Sequence, residues 1–126
     1  MGYDLHIHRG GDWFDAAQNP ITLEEWSDFV ANSPDFRMDN FAEADFEGGD
    51  RLRLEQEGIA VWTGHPESDE AWFSHYAGEI TAKNPDEAMR RRMFEVATVL
   101  GARLQGDDGE FYGPDGEPLP EQRDVP

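Results

Sequence analysis

The sequence predicts an α+β fold in which an antiparallel sheet of about five to seven strands carries two amphipathic helices. Short apolar, β-branched and aromatic runs separated by glycines between Gly58 and Ala82 indicate a β-meander at the centre of that sheet. A capping box at Thr22 and an Asn-Pro pair at Asn84 each precede apolar residues at helical spacing, and these two starts indicate the two helices.

The first strand is predicted by the strict alternation in GYDLHIHR, residues 2–9. Its apolar side chains would face the core. Asp4, His6 and His8 would share the other face, which we expect to face solvent or to lie at a sheet edge. The loop that follows carries Trp13 and Phe14. Two large aromatic side chains are expected to pin such a loop onto the core, with an exposed anchor for a partner as the alternative.

The first helix is predicted over residues 22–32. The Thr22 hydroxyl can accept from the backbone N–H of Glu25, whose carboxylate can reach back to the N–H of Thr22. Apolar residues then recur on one face of the helix: Leu23, Trp26, Phe29 and Val30.

Residues 35–50 show no clear period, and their carboxylates do not follow the ligand order of an EF-hand, so we expect a charged face exposed to solvent. Residues 51–55 alternate strictly, which predicts a strand with Leu52 and Leu54 directed inward. Both faces of the meander strands that follow are apolar, which predicts strands covered on both sides.

The second helix is predicted to have Asn84 as its cap, Pro85 in its first position and Glu87 completing a capping box. Gly101 is predicted to end the helix. Between these limits a core stripe recurs at helical spacing: Met89, Met93, Val96 and Leu100.

Two short strands are expected at residues 102–105 and 110–112. The segment 113–126 is rich in proline and glycine and is predicted to be an unpacked, flexible tail. The predicted organisation is therefore a single domain over residues 1–112 followed by this tail.

The net charge of −18 over 126 residues is the strongest global property of the chain. A field of this sign repels nucleic acid and anionic membrane surfaces and attracts basic partners. The chain has no cysteine, and no apolar stretch has the length of a membrane helix or the pattern of a signal peptide, so we expect a cytoplasmic protein.

His6 and His8 form a His-x-His pair on one face of the first strand, an arrangement that suits a divalent metal. The run from Asp4 to His8 resembles the opening metal motif of PHP-type phosphoesterases, but no further ligand motif of that kind occurs in the sequence. A metal-dependent hydrolase using these two histidines is therefore kept as an alternative, with no metal and no cofactor as the main expectation.

Acidic turns and loops are the candidate contacts for a basic partner, because hairpin loops are where solvated charge normally lies. We predict that the partner-binding residues are Asp12, Asp15, His65, Glu67, Asp69, Glu70, Asp107 and Asp108. No arrangement of residues in the sequence indicates a catalytic centre.

A series of short motifs carries a family resemblance over nearly all of residues 2–112: YDLHIHR, DWFD, ITLEEW, AVWTGHP, AWF, KNPDE and LGARLQGDDGEFY. Taken together they resemble a group of small acidic bacterial proteins that is similar in kind to the immunity proteins of polymorphic toxin systems. This resemblance implies a cytoplasmic protein that is not an enzyme and that occludes the active site of a cognate toxin domain.

A small non-catalytic binding or regulatory domain remains the other alternative. The sequence leaves the oligomeric state and the identity of the partner open.

Overall fold

The computed structural model describes residues 3–45, 47–67 and 71–120. Within these residues the chain forms eight strands and two α-helices, which confirms the α+β class. The strands are β1 (Asp4–His8), β2 (Phe36–Met38), β3 (Phe41–Asp45), β4 (Arg51–Glu55), β5 (Ala60–Trp62), β6 (Trp72–Tyr76), β7 (Glu79–Lys83) and β8 (Arg103–Gly106). The α-helices are α1 (Leu23–Ala31) and α2 (Glu87–Val99), and the 3-10 helices are Trp13–Gln18 and Glu47–Gly49.

Six strands form one antiparallel sheet in the order β2-β5-β6-β7-β1-β8. The predicted meander is confirmed as β5-β6-β7, and β1 joins it between β7 and β8. In the register Asp4 lies opposite Lys83 and Leu5 lies opposite Gly106. The start of β1 and the ends of β7 and β8 therefore lie at the same end of the sheet.

Both helices pack on one face of the sheet, as their apolar stripes predict. Trp26 of α1 and Met93 of α2 are fully buried against Leu5, Ile80 and Phe73 of the sheet. The indole Nε1 of Trp26 donates a 2.8 Å hydrogen bond to the carbonyl of Gly58. Burial of a large aromatic side chain stabilises a fold by about 2 kcal/mol or more, and this indole also meets its hydrogen-bonding requirement.

The start of α1 is the predicted capping box: Thr22 Oγ1 accepts from Glu25 N, and the Glu25 carboxylate accepts from Thr22 N. The start of α2 differs from its prediction, since Asp86 and not Asn84 is the cap and accepts from Met89 N. Asn84 has a positive φ of 48°, and its backbone N–H still donates to Tyr3, prolonging the pairing of β7 with β1. The helix can begin only after that pairing ends.

The inward direction predicted for Leu52 and Leu54 is wrong, because their exposed fractions are 55% and 53%. β3 and β4 pair with each other in a separate two-stranded hairpin inserted between β2 and β5. Alternation along β4 shows which side chains share a face. It does not show whether another layer covers that face.

The expectation of an unpacked tail requires correction for the described residues after Gly113. Gly113 N donates to the carbonyl of Glu117, and Leu119 N donates to the carbonyl of Phe111. The Arg90 guanidinium of α2 donates to the carbonyl of Gly116 at 2.6 Å and pairs with Glu117 at 3.1 Å. Hydrogen bonds to the helix thus hold this turn without an apolar core of its own, and residues 121–126 lie outside the described residues.

Candidate functional site

The second face of the sheet carries polar side chains from β1, and they are buried. His6 is 5% exposed and His8 is fully buried, so the expectation that this face lies open to solvent is wrong. The loop after β1 folds back over the face, and the Trp13 ring stacks on the His6 ring with centroids 4.3 Å apart and planes 7° apart. The predicted pinning holds for Trp13, whereas Phe14 is 68% exposed and its ring meets the Trp13 ring edge to face.

His6 is held between two carboxylates. Its Nδ1 lies 2.6 Å from Glu79 Oε1, and its Nε2 lies 2.7 Å from Asp107 Oδ1. Both partners are acceptors, so both ring nitrogens donate and the ring is an imidazolium. Burial by itself lowers the pKa of His6, but the hydrogen bonds to Glu79 and Asp107 outweigh burial and raise that pKa above its ordinary value.

Asp107 is fixed in turn by the first strand. Its Oδ2 accepts from Asp4 N at 2.9 Å, and its own backbone N–H donates to the carbonyl of Asp4. Burial raises the pKa of Asp107, yet the hydrogen bonds from Asp4 and His6 prevail and hold it below its usual range. The carboxylate therefore joins the end of β8 to the start of β1 while it remains charged.

His8 is neutral and has a defined tautomer. Its Nδ1 accepts from Gly10 N at 3.1 Å, so Nε2 carries the proton and donates to Gln105 Oε1 at 2.7 Å. Burial lowers the pKa of His8. Gln105 also accepts from Trp13 N and donates to Asp12 Oδ1 and the carbonyl of Gly109. Every donor and acceptor of this buried amide has a partner, which is the condition for a stable polar core.

These bonds leave the two histidines poorly suited to bind a metal. A metal ligand needs an unprotonated ring nitrogen, and both nitrogens of His6 donate to carboxylates. The only unprotonated nitrogen of His8 already accepts from Gly10. Across the described ranges, no group of three or more histidine, aspartate and glutamate side chains has the geometry to hold a metal ion.

A second, partly buried cluster lies beside this network, and the sequence did not predict it. The hydroxyls of Tyr3 and Tyr112 both donate to Glu110 Oε2. Burial and the bond to Glu110 raise the pKa of Tyr112 to about 12. Glu110 approaches the backbone of Gly106 so closely that a Cβ there would overlap its carboxylate. The only sequence signal for this contact is a glycine at the start of the 106–109 turn.

The predicted partner-binding residues near β8 are divided between buried contacts and the surface. Asp107 is bonded to His6, and Asp12 accepts from Gln105 at 3.1 Å. Asp15 accepts from the side chain of Gln18 at 3.3 Å. Asp108 is exposed, and its backbone N–H donates to the Tyr3 hydroxyl at 3.0 Å. Asp108 is thus an outward-facing carboxylate on a fixed backbone.

The predicted contacts in the loop after β5 lie next to the start of α2. The His65 side chain is only 4% exposed; its Nε2 contacts Asp86 at 2.7 Å and its Nδ1 accepts from Glu67 N. His65 therefore shapes the loop, and Glu67 is the exposed carboxylate that it positions. Asp69 and Glu70 lie outside the described residues.

Most of the positive charge of the described residues is already paired within the chain. Seven of the eight arginines there contact carboxylates at 3.1 Å or less: Arg9, Arg37, Arg51, Arg53, Arg90, Arg91 and Arg92. The eighth, Arg103, donates to the carbonyls of Gly10 and Gly11 and lies over the ring of Phe111. The guanidinium groups are thus used internally, and an excess of carboxylates forms the outer field.

The chain matches no protein-family model, no curated protein and no solved structure. In the described part of the chain, neither α-helix combines the length and the apolar composition that crossing a membrane requires. The fold and site define a small α+β domain with a buried histidine–carboxylate network and an acidic surface.

Proposed function

We propose that this protein is an immunity-type inhibitor that acts in the cytoplasm, binds the basic enzymatic domain of a bacterial toxin and occludes its active site. The observation that carries the proposal is the net charge of −18 on a chain whose described arginines are almost all paired internally. Such a surface steers a basic partner toward it over long range and speeds association. The resemblance of the sequence motifs to immunity proteins supports the same function.

The surface we propose for this contact is the end of the sheet where β1 begins and β7 and β8 end. We call it the acidic end and define it by four exposed carboxylates: Glu67, Asp86, Glu87 and Asp108. The register of β1 with β7 and β8 supports this grouping, as does the bond from His65 to Asp86 that joins the loop after β5 to α2.

The buried network supports a rigid presentation of this surface. Asp107 is bonded to His6 and to both backbone groups of Asp4, and the backbone of Asp108 is bonded to Tyr3. A binding surface whose backbone is already fixed loses less conformational entropy on association. The polar core under β1 would thus contribute to affinity without touching the partner.

A toxin of the nuclease kind fits this surface best, because its substrate is a polyanion. The carboxylates of the acidic end would occupy the positions of phosphate groups and exclude the nucleic acid. The inhibitor needs no catalytic group for this action, since exclusion depends on shape and charge.

The proposal is tested by expressing the toxin domain encoded beside this gene, with and without the protein. We expect growth to be rescued and the two proteins to co-purify at low salt. Replacing Glu67 and Asp108 by lysine should weaken binding about tenfold or more, mainly through slower association. The matched control replaces Asp50 and Glu57 by lysine. These two exposed acids lie on either side of β4, and their replacement changes the net charge by the same amount.

Two results would contradict the proposal. One is the absence of both rescue and co-purification with the wild-type protein. The other is an equal loss of affinity in the acidic-end variant and in the control, which would show that only total charge matters. Self-association that does not respond to salt would favour the small binding or regulatory domain.

A further inference from the structure

A cleft lies between the β3–β4 hairpin and the polar face of the main sheet. Its volume is about 270 Å³. Three strands of the sheet and one strand of the hairpin provide the side chains that matter for its chemistry: Asp4, Thr81, Lys83, Ser74, Trp72 and Leu54. Asp4 and Lys83 place the cleft at the same end of the sheet as the acidic end, but none of the four carboxylates that define the acidic end lines it.

Asp4 and Lys83 carry opposite charges on neighbouring strands at this cleft, and the charge of Lys83 also acts on Asp107. Asp4 and Lys83 are direct partners in the β1–β7 register, yet among the described residues no ion pair joins them. Asp4 Oδ1 is buried and receives no hydrogen bond from the described residues. The Asp4 side chain lines the cleft and has no hydrogen-bond donor among the described residues, so a donor that enters the cleft would meet an unsatisfied carboxylate.

The remaining groups of the cleft are two hydroxyls and an apolar wall. Ser74 and Thr81 lie opposite each other in the register of β6 and β7, beside Lys83. Trp72 from the sheet and Leu54 from the hairpin form the wall. Leu54 is 53% exposed, which leaves apolar area at the cleft for a ligand to cover.

We propose that this cleft binds a free α-amino acid with an apolar side chain. The ammonium group of the ligand lies against the Asp4 carboxylate and supplies the charge-assisted hydrogen bond that this group lacks. Its carboxylate lies against Lys83 and the hydroxyls, and its side chain packs between Trp72 and Leu54. The volume suits such a ligand, because drug-sized molecules occupy pockets of roughly 300–1,000 Å³ and an amino acid is smaller.

This ligand accounts for the cleft better than a simple cation or anion does. A cation would meet Lys83, and an anion would meet Asp4, so either would place like charges together. A zwitterion places each charge opposite its complement. The apolar wall then selects among amino acids by the size of the side chain.

The first test titrates the full-length protein with L-leucine in a calorimeter. We expect saturable binding with a dissociation constant of about 1 mM or tighter. Two analogues of the same shape serve as controls: isoamylamine lacks the carboxylate, and 4-methylpentanoate lacks the ammonium group. Each should bind at least about tenfold more weakly, since each loses one charge-assisted contact. The absence of saturable heat with leucine, or equal binding of the analogues, overturns the proposal.

Variants locate the binding at the cleft. Asp4→Asn should weaken leucine binding about tenfold or more, and the fold should tolerate it because only the backbone of Asp4 bonds to Asp107. Ala42→Phe places a ring inside the cleft from β3 and should abolish binding. Asp28→Asn, at an exposed acid on α1, is the matched control and should bind as the wild type does. Unchanged affinity in both cleft variants refutes the site, and this result is independent of any toxin partner.

Discussion

Replacing His6 by alanine removes the cation that two partly buried carboxylates share. Breaking a buried ion pair by deleting one partner costs about 3–5 kcal/mol, because the remaining charge is left without compensation. The side chains of Glu79 and Asp107 are 16% and 33% exposed, so water can partly solvate them in the variant. We therefore expect a loss near the lower limit, about 3 kcal/mol.

Thermal and urea unfolding followed by circular dichroism measure this loss. For a chain of this length, about 3 kcal/mol corresponds to a decrease in Tm of about 10 °C. The Asp107→Asn variant is the control for side-chain shape. It keeps the volume of the side chain and removes one of the two carboxylate charges that bond to His6. It should be destabilised less than the His6→Ala variant.

The pH dependence separates a charged His6 from a merely packed one. The pKa of His6 is raised in the folded state above the ordinary value of 6.5, so its contribution is complete below that value and is lost as the pH rises through the folded pKa. His8 has the opposite sign: its pKa is lowered, so its contribution is present above 6.5 and is lost as the pH falls through the folded pKa.

The difference in stability between the wild type and the His6→Ala variant should therefore be larger at about pH 5.5 than at about pH 9. In the variant the contribution of His8 remains, and this contribution should grow as the pH rises from the lowered folded pKa of His8 to about 6.5. A loss below about 1 kcal/mol, or an equal loss at both pH values, would refute the reasoning that a buried imidazolium joins β1, β7 and β8.

Three further substitutions test separate parts of the fold by urea unfolding. Thr22→Ala removes the hydroxyl of the capping box and should cost about 1 kcal/mol; no loss would show that the Arg9–Glu25 pair suffices to hold the start of α1. Gly78→Ala should cost about 2 kcal/mol or more, because its φ is 85° and a Cβ there would lie 2.8 Å from the Cβ of Pro20. A neutral effect would contradict the close approach. Leu52→Thr should change stability by less than about 0.5 kcal/mol, since this side chain is exposed on the hairpin, and a larger loss would indicate that the leucine is covered.

Local patterns predicted the parts of the fold that depend on neighbouring residues. The Thr22 capping box, the apolar stripe through Met93 and the meander from Ala60 to Lys83 each follow from spacing over a few positions. The start of α2 was misplaced because Asn84 bonds to Tyr3 across the sheet, and a capping pattern contains no information about such a distant partner.

The candidate site was harder to predict because its chemistry depends on coverage and on pairs distant in sequence. Alternation placed His6 and His8 on one face correctly, but it could not show that Trp13 covers that face. The partners of His6 are Glu79 and Asp107, 73 and 101 residues away. An aromatic residue in the loop directly after a His-x-His strand was the one available sign that these histidines are buried.

The insertion of the hairpin between β2 and β5 makes this part of the chain modular. Asn40 closes its base: its backbone N–H donates to the carbonyl of Ile59, its carbonyl accepts from Gln56 N and its Oδ1 accepts from Gly58 N. Met38 and Ala60 already pair across β2 and β5. Residues 41–55 could thus be exchanged for a short turn while the six-stranded sheet is retained, and a shorter loop would lower the entropy cost of closure. Related chains could therefore gain, lose or reshape the cover of the cleft, and with it any ligand preference, without rebuilding the core.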